Sequence, residues 1–292
     1  MPSARPITRR NIALGRAPTR DTRQAGERLV TATTVGRQGS TRRYFHAMWL
    51  LSSRDLRVKY ATTWLGYIWA VLDPLLMCAI YWFLFTVVFE RHGGVEPYAM
   101  FLISGLLPWQ WFTTAVSDST SAFTRDKKLV RSTGASNTIW VGRVVLSSAV
   151  SYALTFPILA AALLLFQMPI GPGIVWFPVA FLLQAVLCVG LGLVLAPLCI
   201  LISDLARVTK LVIRVLFFCS PILFDLSHLP EWLQWVDRVN PMYGILTMYR
   251  LGYWPELWNT GSIVASFAIS FGILALGIIV FPVLVRPVLK DL

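Results

Sequence analysis

Six runs of apolar residues follow one another along this chain, and each is close to the length that a helix needs to cross a bilayer. They lie at about 64–89, 98–117, 144–168, 174–203, 209–225 and 262–285. A hydrocarbon core about 30 Å thick takes about 20 helical residues at 1.5 Å each. Only 14% of the residues are charged, against roughly 25% in a soluble domain. The pattern predicts an all-α polytopic membrane protein, with six transmembrane helices in residues 61–292.

The basic residues between these spans favour one orientation. Between the second and third spans lie Arg125, Lys127, Lys128, Arg131 and Arg143, and between the fourth and fifth lie Arg207, Lys210 and Arg214. The opposite loops contain Arg91, Arg238 and Arg250. Because cytoplasmic loops carry the excess of Lys and Arg, both termini are predicted to be cytoplasmic. In a soluble chain the net charge of +12 would suggest nucleic acid, but half of the Lys and Arg precede Tyr60, so no nucleic-acid partner is expected.

Residues 1–40 are rich in Arg, Thr, Ala, Ser and Gly and poor in large apolar side chains. Such a segment buries too little surface to offset the entropy lost on ordering, so it is predicted to be a disordered basic cytoplasmic tail. It also lacks the apolar core of a signal peptide. Two roles remain open: a positive charge at the membrane surface, or a specific docking arm.

Residues 41–60 form the amphipathic pattern of a helix that lies on the membrane. The apolar face of its helical wheel consists of Phe45, Trp49 and Leu56, with Met48 and Tyr60 beside it. The other side carries Arg43, Arg54 and Arg57. This pattern predicts an interfacial helix that contacts lipids at the cytoplasmic surface and leads into the first span. The helix is either an ordinary anchor or a surface on which a cytoplasmic partner pushes.

Residues 230–260 are too polar to cross the membrane and too aromatic to form a free loop. Asn240 followed by Pro241 is typical of a helix N-cap with proline at the first helical position. We therefore expect two short helices, 230–239 and 241–251, at the outer membrane interface, where Trp and Tyr are enriched. Re-entrant packing against the fifth span is also compatible with this segment.

The sequence lacks the motifs of an enzyme that acts alone. There is no GxxxxGK[ST] phosphate loop, no HExxH, and no pair of carboxylates at a useful helical spacing. His46, His92 and His228 lie in separate segments, and the four cysteines fall inside apolar runs. We therefore predict no metal and no cofactor in this chain, and no hydrolysis of ATP by it.

One acidic residue and a row of aromatic residues occupy the first span. Asp73 precedes Pro74; it either marks a functional site or satisfies backbone groups near the proline or a wet vestibule. The row consists of Tyr60, Trp64, Tyr67, Tyr81 and Phe85, and Phe217, Phe218 and Phe224 add rings in the fifth span. These rings either stack on the sugars of a sliding chain or serve helix packing and interface anchoring.

Four stretches resemble one family of membrane proteins: RDLRVKYATTWLGYIWAVLDPLL, GLLPWQWF at 105–112, SPILF at 220–224 and NPMYGILTMYR at 240–250. In this order they resemble the transmembrane subunits of ABC-2-type polysaccharide exporters, the permeases for O-antigen, capsule and teichoic-acid chains. The resemblance covers residues 44–292. The basic tail and the aromatic outer segment are most similar to the actinobacterial permeases that export lipid-linked galactan.

The resemblance implies a homodimer in the plasma membrane, bound to two copies of an ATP-hydrolysing subunit that holds ATP and Mg. It places an interface helix at 41–60 and a gate helix at 117–130, and it implies a channel lined by the first and fifth spans. The implied contacts to the ATPase are Arg54, Asp55, Arg57, Lys59, Arg125, Lys127 and Lys128. The implied channel residues are the rings above and Asp73, and the implied outer gate is Trp232, Trp235, Asn240, Pro241 and Tyr243.

One departure from the family concerns the gate. Members carry a Lys-aromatic-Phe-Pro-Arg type of sequence after the second span, whereas this chain has KKLVRSTGASNTIWVGR. Which of residues 125–143 form the gate therefore stays open. Lys127, Lys128 and Arg131 either bind the pyrophosphate of a lipid-linked glycan or only set the topology.

Three other functions remain as alternatives. An ABC-2 permease for a lipid or a drug would share the same spans. A membrane-embedded glycan or prenyl transferase would need clustered acidic residues, but Asp55, Asp118, Asp126 and Asp204 are scattered along the chain. An ion-coupled carrier would show inverted repeats, and no internal repeat is evident.

Overall fold

The computed structural model describes residues 41–61, 64–88, 95–132, 136–223 and 234–291. The tail predicted at 1–40 lies outside the described residues. Backbone contacts divide the chain into Met1–His46 and Ala47–Leu292. Every regular element in the described residues is helical. The helices are α1 (41–60), α2 (Trp69–Phe83), α3 (Tyr98–Ser119), α4 (Lys127–Ser132), α5 (Thr138–Ala153), α6 (Phe156–Leu165), α7 (Trp176–Leu201), α8 (Leu205–Phe218), α9 (Val236–Val239), α10 (Pro241–Arg250) and α11 (Thr260–Asp291).

Five helical segments in the described part are long and apolar enough to cross a membrane. They are Gly66–Val88, Tyr98–Ser119, Thr138–Leu165, Pro172–Leu201 and Thr260–Val285. They correspond to the first four and the sixth of the predicted spans, so the chain is a multi-pass membrane protein. The first extends α2 by a 3₁₀ turn at its start and a π-helical turn at its end. The third is α5 and α6 together, with a break at Leu154 and Thr155.

The predicted fifth span, 209–225, is not a continuous transmembrane helix. Its helical part is α8, which has 14 residues and a length of about 21 Å. The helix ends before Ser220 and Pro221, because proline cannot continue the hydrogen-bond ladder. Leu223 nevertheless lies at the end of the bundle where α3 begins, since the Tyr98 hydroxyl donates to its carbonyl oxygen at 3.1 Å. The count of six transmembrane helices is therefore not confirmed.

The helices α7 and α11 make the most extensive contact in the molecule. Glycines permit it: a Cβ on Gly190 would lie 2.7 Å from the backbone nitrogen of Leu274, and one on Gly277 would lie 2.8 Å from the carbonyl oxygen of Gly190. Small residues at a helix crossing let two backbones approach closely, which is how helices gain packing energy within a membrane.

The helix α10 packs inside the bundle instead of lying on its surface. Residues Met242–Arg250 are all buried, and they contact α3, α7 and α11. Its predicted start is confirmed: the side-chain oxygen of Asn240 accepts a hydrogen bond from the backbone N–H of Met242 at 3.0 Å. This burial is compatible with re-entrant packing, and the position of the helix at the outer membrane interface stays a prediction. The helix predicted at 230–239 is reduced to α9 in the described residues, and 224–233 lie outside them.

Candidate functional site

The helix α1 buries a narrow stripe and leaves its first aromatic residues exposed. Ser52, Leu56 and Tyr60 are four residues apart and buried, and the last two pack with Ala70 at the start of α2. Phe45 and Trp49 are 58% and 53% exposed. The predicted apolar face is therefore divided along its length, because Leu56 and Tyr60 contact protein, and its contact with lipid stays a prediction. Lipid or a partner can still cover Phe45 and Trp49.

Ser52 connects α1 to α5 directly. Its hydroxyl lies 2.8 Å from the carbonyl oxygen of Met48 and 3.0 Å from the carbonyl oxygen of Arg143, and its one hydrogen serves either acceptor. The Ser52 side chain is almost fully buried, so this contact fixes the separation of the two helices.

Four charged residues form a cluster beside Ser52, which we call the coupling cluster: Arg54 and Asp55 of α1, Asp126 from the turn after α3, and Arg143 of α5. The Asp126 carboxylate accepts from Arg54 at 2.6 Å and from Arg143 at 2.7 Å. Asp55 lies 3.3 Å from Arg54 and 3.4 Å from Arg143. Two positive and two negative groups therefore balance each other.

The Arg143 side chain has no exposed surface. It also donates to the carbonyl oxygen of Ala122 at 3.5 Å and lies over the Trp140 ring, 5.0 Å from its centre. A buried charge is tolerated only when it is paired and hydrogen-bonded, so the position of Arg143 depends on the two carboxylates.

The pKa values of Asp126 and Arg54 are both shifted toward the charged form. Burial by itself would raise the pKa of Asp126, but hydrogen bonds and attraction from Arg143 and Arg54 outweigh it and lower that pKa below its ordinary value. Burial would likewise lower the pKa of Arg54, and Asp126 and Asp55 raise it instead. Charge therefore holds α1, the turn after α3 and α5 together.

The other residues implied as ATPase contacts lie near this cluster. Arg57 and Lys59 are exposed on α1, and Lys127 and Lys128 are exposed on α4. Arg125 instead pairs with Asp118 at 3.0 Å. The gate helix expected at 117–130 is not one helix, because α3 ends at Ser119 and turns separate it from α4.

A cavity of about 690 Å³ lies between α2, α3 and α8, and we call it the aromatic groove. Three of its rings meet: the centre of the Phe217 ring is 5.6 Å from that of Tyr81 and 5.8 Å from that of Trp109. The remaining lining is Pro74, Met77, Leu106, Gln110, Thr113, Thr114, Ser117, Lys210, Ile213, Arg214 and Phe218. A groove with ring faces and hydroxyl groups suits a polar molecule built of rings.

The aromatic row of the first span is not continuous in the structure. The helix α1 ends at Tyr60, and Gly66, just before α2, has φ +52°, a left-handed conformation that favours glycine. The rings of Tyr60 and Tyr67 pack with 5.4 Å between their centres, and Trp64 is 99% exposed. Only Tyr81 of the row reaches the aromatic groove.

The other residues implied to line the channel do not lie together. Phe85 packs against Tyr98 with 6.3 Å between ring centres, outside the groove. Phe217 and Phe218 line the groove, and Phe224 lies outside the described residues. Asp73 is exposed on α2, on the side away from the buried Pro74 and Cys78. The roles of these residues stay predictions.

Arg250 joins two of the sequence stretches quoted above. Its side chain is almost fully buried and donates to the carbonyl oxygens of Phe101, at 2.8 Å, and Pro221, and to the Ser104 hydroxyl at 3.2 Å. The guanidinium carbon lies 3.6 Å from the centre of the Phe101 ring. Gly105 is required beneath it, because a Cβ there would overlap the guanidinium group.

Asn240, at the other end of the stretch that contains Arg250, also contacts the stretch at 220–224. Its side-chain nitrogen donates to the Ser220 hydroxyl at 2.8 Å and to the Cys219 carbonyl oxygen at 3.1 Å. Of the implied outer-gate residues, Pro241 begins α10, Tyr243 is buried, Trp235 is 57% exposed, and Trp232 lies outside the described residues. These contacts give Asn240 a fixed place in the fold, and its part in a gate stays a prediction.

The sequence did not single out Arg143 as more than a topology signal. The available signal was its position inside the apolar run TIWVGRVVL, where an unpaired cation is costly. In the described ranges no group of three or more His, Cys, Asp or Glu is arranged to hold a metal, and all four cysteines are free.

Comparison with known proteins gives one family and several relatives. The model of the family described as ABC-2 type transporter matches residues 46–254. The O-antigen export system permease protein RfbA of Klebsiella pneumoniae is 28% identical over 207 residues, which cover 70% of this chain and 79% of that protein. RfbA of Myxococcus xanthus is 29% identical over 227 residues, 75% and 85% of the two chains. The polysialic acid transport protein KpsM of Escherichia coli is 22% identical over 214 residues, 71% and 81%.

Proposed function

Because the chain belongs to the ABC-2 type transporter family, we propose that it is the membrane subunit of an ATP-driven exporter of lipid-linked polysaccharide. The names of its relatives refer to export of O-antigen and transport of polysialic acid, both of them glycans. The cargo we propose is a lipid-linked cell-wall galactan, which the basic tail and the aromatic outer segment favour. ATP and Mg bind to a separate partner chain, and this subunit catalyses no reaction.

The coupling cluster is the observation that carries this proposal. A cytoplasmic ATPase seated on α1 and α4 would contact exposed cations such as Arg57, Lys127 and Lys128. Closure of the two ATPase copies would displace α1. The pairs from Arg54 to Asp126 and from Asp126 to Arg143 would pass that displacement to the end of α3 and to α5.

The exposure of α2 supports a homodimer. In an apolar stretch of 18 residues within Gly66–Val88, only 11% is buried within its own chain, against 72% in the corresponding stretch of Tyr98–Ser119. Asp73 is exposed in this span, and a carboxylate facing hydrocarbon costs about 2.5–3.5 kcal/mol. A second copy opposite α2 and α8, with a wet path between the copies, removes that cost. The path would be lined by the aromatic grooves of both protomers.

The proposal is tested by reconstitution with the ATPase. The chain is co-expressed with the P-loop ATPase encoded in the same genome, purified through a tag on this chain, and placed in proteoliposomes with lipid-linked galactan. We expect the two proteins to co-purify in equal amounts and to move galactan only when ATP is hydrolysed. Failure to retain any ATPase, or movement of galactan without ATP, would refute the proposal. Movement of a drug or of sugar-free lipid alone would reassign the cargo.

A further inference from the structure

Two cations line the aromatic groove on α8. Lys210 and Arg214 are one helical turn apart, both exposed, and both part of the groove wall. They lie toward the start of α8, near Ser117 in the last turn of α3. The positive-inside rule predicts that this end is cytoplasmic.

The charge of these two cations is not balanced within the described part of the protein. Among the described residues, the lining of the aromatic groove contains no Asp or Glu. Four other arginines each lie within 4.0 Å of a carboxylate: Arg54, Arg125, Arg143 and Arg207. No such pair involves Lys210 or Arg214 among the described residues. The aromatic groove therefore offers two unneutralised cations to an anion.

A neighbouring cavity differs from the aromatic groove in the charges that line it. It has a volume of about 600 Å³ and is lined by Arg54, Asp55 and Asp126 of the coupling cluster and by Lys59, Asp118 and Arg125, so acids and bases face each other there. In the aromatic groove the other polar lining is neutral: Gln110, Thr113, Thr114 and Ser117. Hydroxyl and amide groups beside two cations are donors to phosphate oxygens.

The spacing along α8 suits a diphosphate joined to a sugar. Lys210 and Arg214 are separated by a rise of about 6 Å, and Phe217 lies about 4.5 Å farther along the helix. An anion held by both cations would thus present whatever is attached to it to the rings of Phe217, Trp109 and Tyr81.

We infer that Lys210 and Arg214 form a subsite for the diphosphate that links a glycan to its lipid, with Phe217 and Trp109 contacting the first sugars. The nature of the attached groups rests on the proposed function, whereas the preference for a phosphate-type anion rests on the groove itself. The other source of the same chemistry is the phosphate of an ordinary anionic membrane lipid, and the experiment separates the two.

Binding to the full-length chain in phosphatidylcholine nanodiscs tests this subsite. The probe is a water-soluble short-prenyl diphosphoryl sugar, titrated by microscale thermophoresis, and the variant is Lys210→Gln with Arg214→Gln. We expect affinity for the probe to fall about tenfold or more, because two charge-assisted contacts are lost. Arg207→Gln is the matched control: it removes a cation from the same helix outside the groove, and we expect a change of less than about twofold.

Two further binding measurements identify the anion. A prenyl glycoside without phosphate should bind wild type and double variant equally, and phosphatidylglycerol in the nanodiscs should not displace the diphosphate probe from the wild type. The subsite is refuted if the double variant binds the probe as Arg207→Gln does, or if phosphatidylglycerol displaces the probe. If the double variant aggregates, the variant with Lys210→Arg and Arg214→Lys is titrated instead. It keeps both charges, so its affinity for the probe should be within about threefold of the wild type, and a larger loss would refute the subsite.

Co-purification separates this inference from the proposed function. The double variant should retain the ATPase as the wild type does, because neither residue lies in the coupling cluster. If the wild type carries the ATPase and moves galactan while the double variant binds the probe normally, only the subsite is wrong. If the wild type retains no ATPase, the proposed function is wrong, and the nanodisc titration still reports on the two cations.

Discussion

Asp126, in the turn after α3, accepts a hydrogen bond at 2.7 Å from Arg143, a residue of α5 whose side chain has no exposed surface. The same carboxylate oxygen lies 2.6 Å from Arg54 of α1. One oxygen atom therefore connects a helix outside the spans to a helix within them. We expect the stability of the fold to depend on this contact, and in the proposed mechanism the transmission of force depends on it too.

Asp126→Asn should destabilise the protein strongly. The neutral amide leaves the buried Arg143 guanidinium with only Asp55 as a negatively charged neighbour, and breaking a buried ion pair costs about 3 kcal/mol. The measurement is unfolding by sodium dodecyl sulfate in mixed micelles. Asp118→Asn is the control, since it breaks an exposed pair with Arg125 worth less than about 1 kcal/mol. Equal losses in the two variants would contradict the account of the coupling cluster.

The pH dependence of this contact follows from the lowered pKa of Asp126. A carboxyl group whose pKa is depressed in the folded state stabilises the fold above its unfolded pKa, here the ordinary 3.8, and loses that effect as pH falls through the folded pKa. The difference in unfolding midpoint between wild type and Asp126→Asn should thus be constant from pH 8 to 5 and shrink below about pH 4. A difference that vanishes between pH 7 and 5 would show that another group controls it.

Gly105→Ala should prevent proper folding, whereas Gly272→Ala should not. A methyl group at Gly105 would displace the guanidinium of Arg250, which holds α3, α10 and the turn at Pro221 together. At Gly272, in the middle of α11, a methyl group meets no atom within 4 Å. There, alanine favours the helix by about 0.5–1 kcal/mol. The yield of monodisperse protein and its melting temperature measure both effects, and a normal yield of Gly105→Ala would contradict the role of Arg250.

Phe217→Ala should slow export, and Trp64→Ala should leave it unchanged. Phe217 lies beside Tyr81 and Trp109 in the aromatic groove. Losing the contact between its ring and a sugar of the cargo, about 1 kcal/mol, should slow transport about fivefold. Trp64 is 99% exposed and outside the groove. ATP-driven movement of lipid-linked galactan in proteoliposomes, normalised to the retained ATPase, measures both variants. A larger effect at Trp64 would instead support the continuous row of the first span.

The parts of the fold that depend on local chemistry were predictable from the sequence. Five spans follow from apolar length alone, and the start of α10 follows from Asn240 and Pro241, since an N-cap involves only neighbouring residues. The fifth span, predicted at 209–225, is not one continuous helix in the described residues, because apolar length does not show where α8 ends, although Pro221 marks a limit. The aromatic row does not lie along one helix, because α1 ends at Tyr60 and Gly66 before α2 has a left-handed conformation, and its role stays a prediction.

The coupling cluster could be predicted only in part. Arg54 follows from the polar side of the α1 pattern and Asp55 from the family resemblance, but their partners are 72 and 88 residues away in the chain. Such pairs arise from tertiary packing, which a single sequence does not encode in its periodicity. The burial of Arg143 could be predicted, because it is a cation in an apolar run. Nothing in the sequence indicates that its partner is Asp126 and not Asp118.

The central claim is that force on α1 reaches the spans through the coupling cluster, and the most direct test is the number of galactan lipids moved per ATP hydrolysed. The assay uses proteoliposomes of the complete complex with wild type and with Arg54→Gln. This variant cuts the link from α1 to Asp126 but leaves the buried pair of Arg143 and Asp126 intact. We predict that hydrolysis continues while galactan moved per ATP falls about fivefold or more, the factor for about 1 kcal/mol of lost coupling. An unchanged ratio, with the ATPase still bound, would contradict the claim.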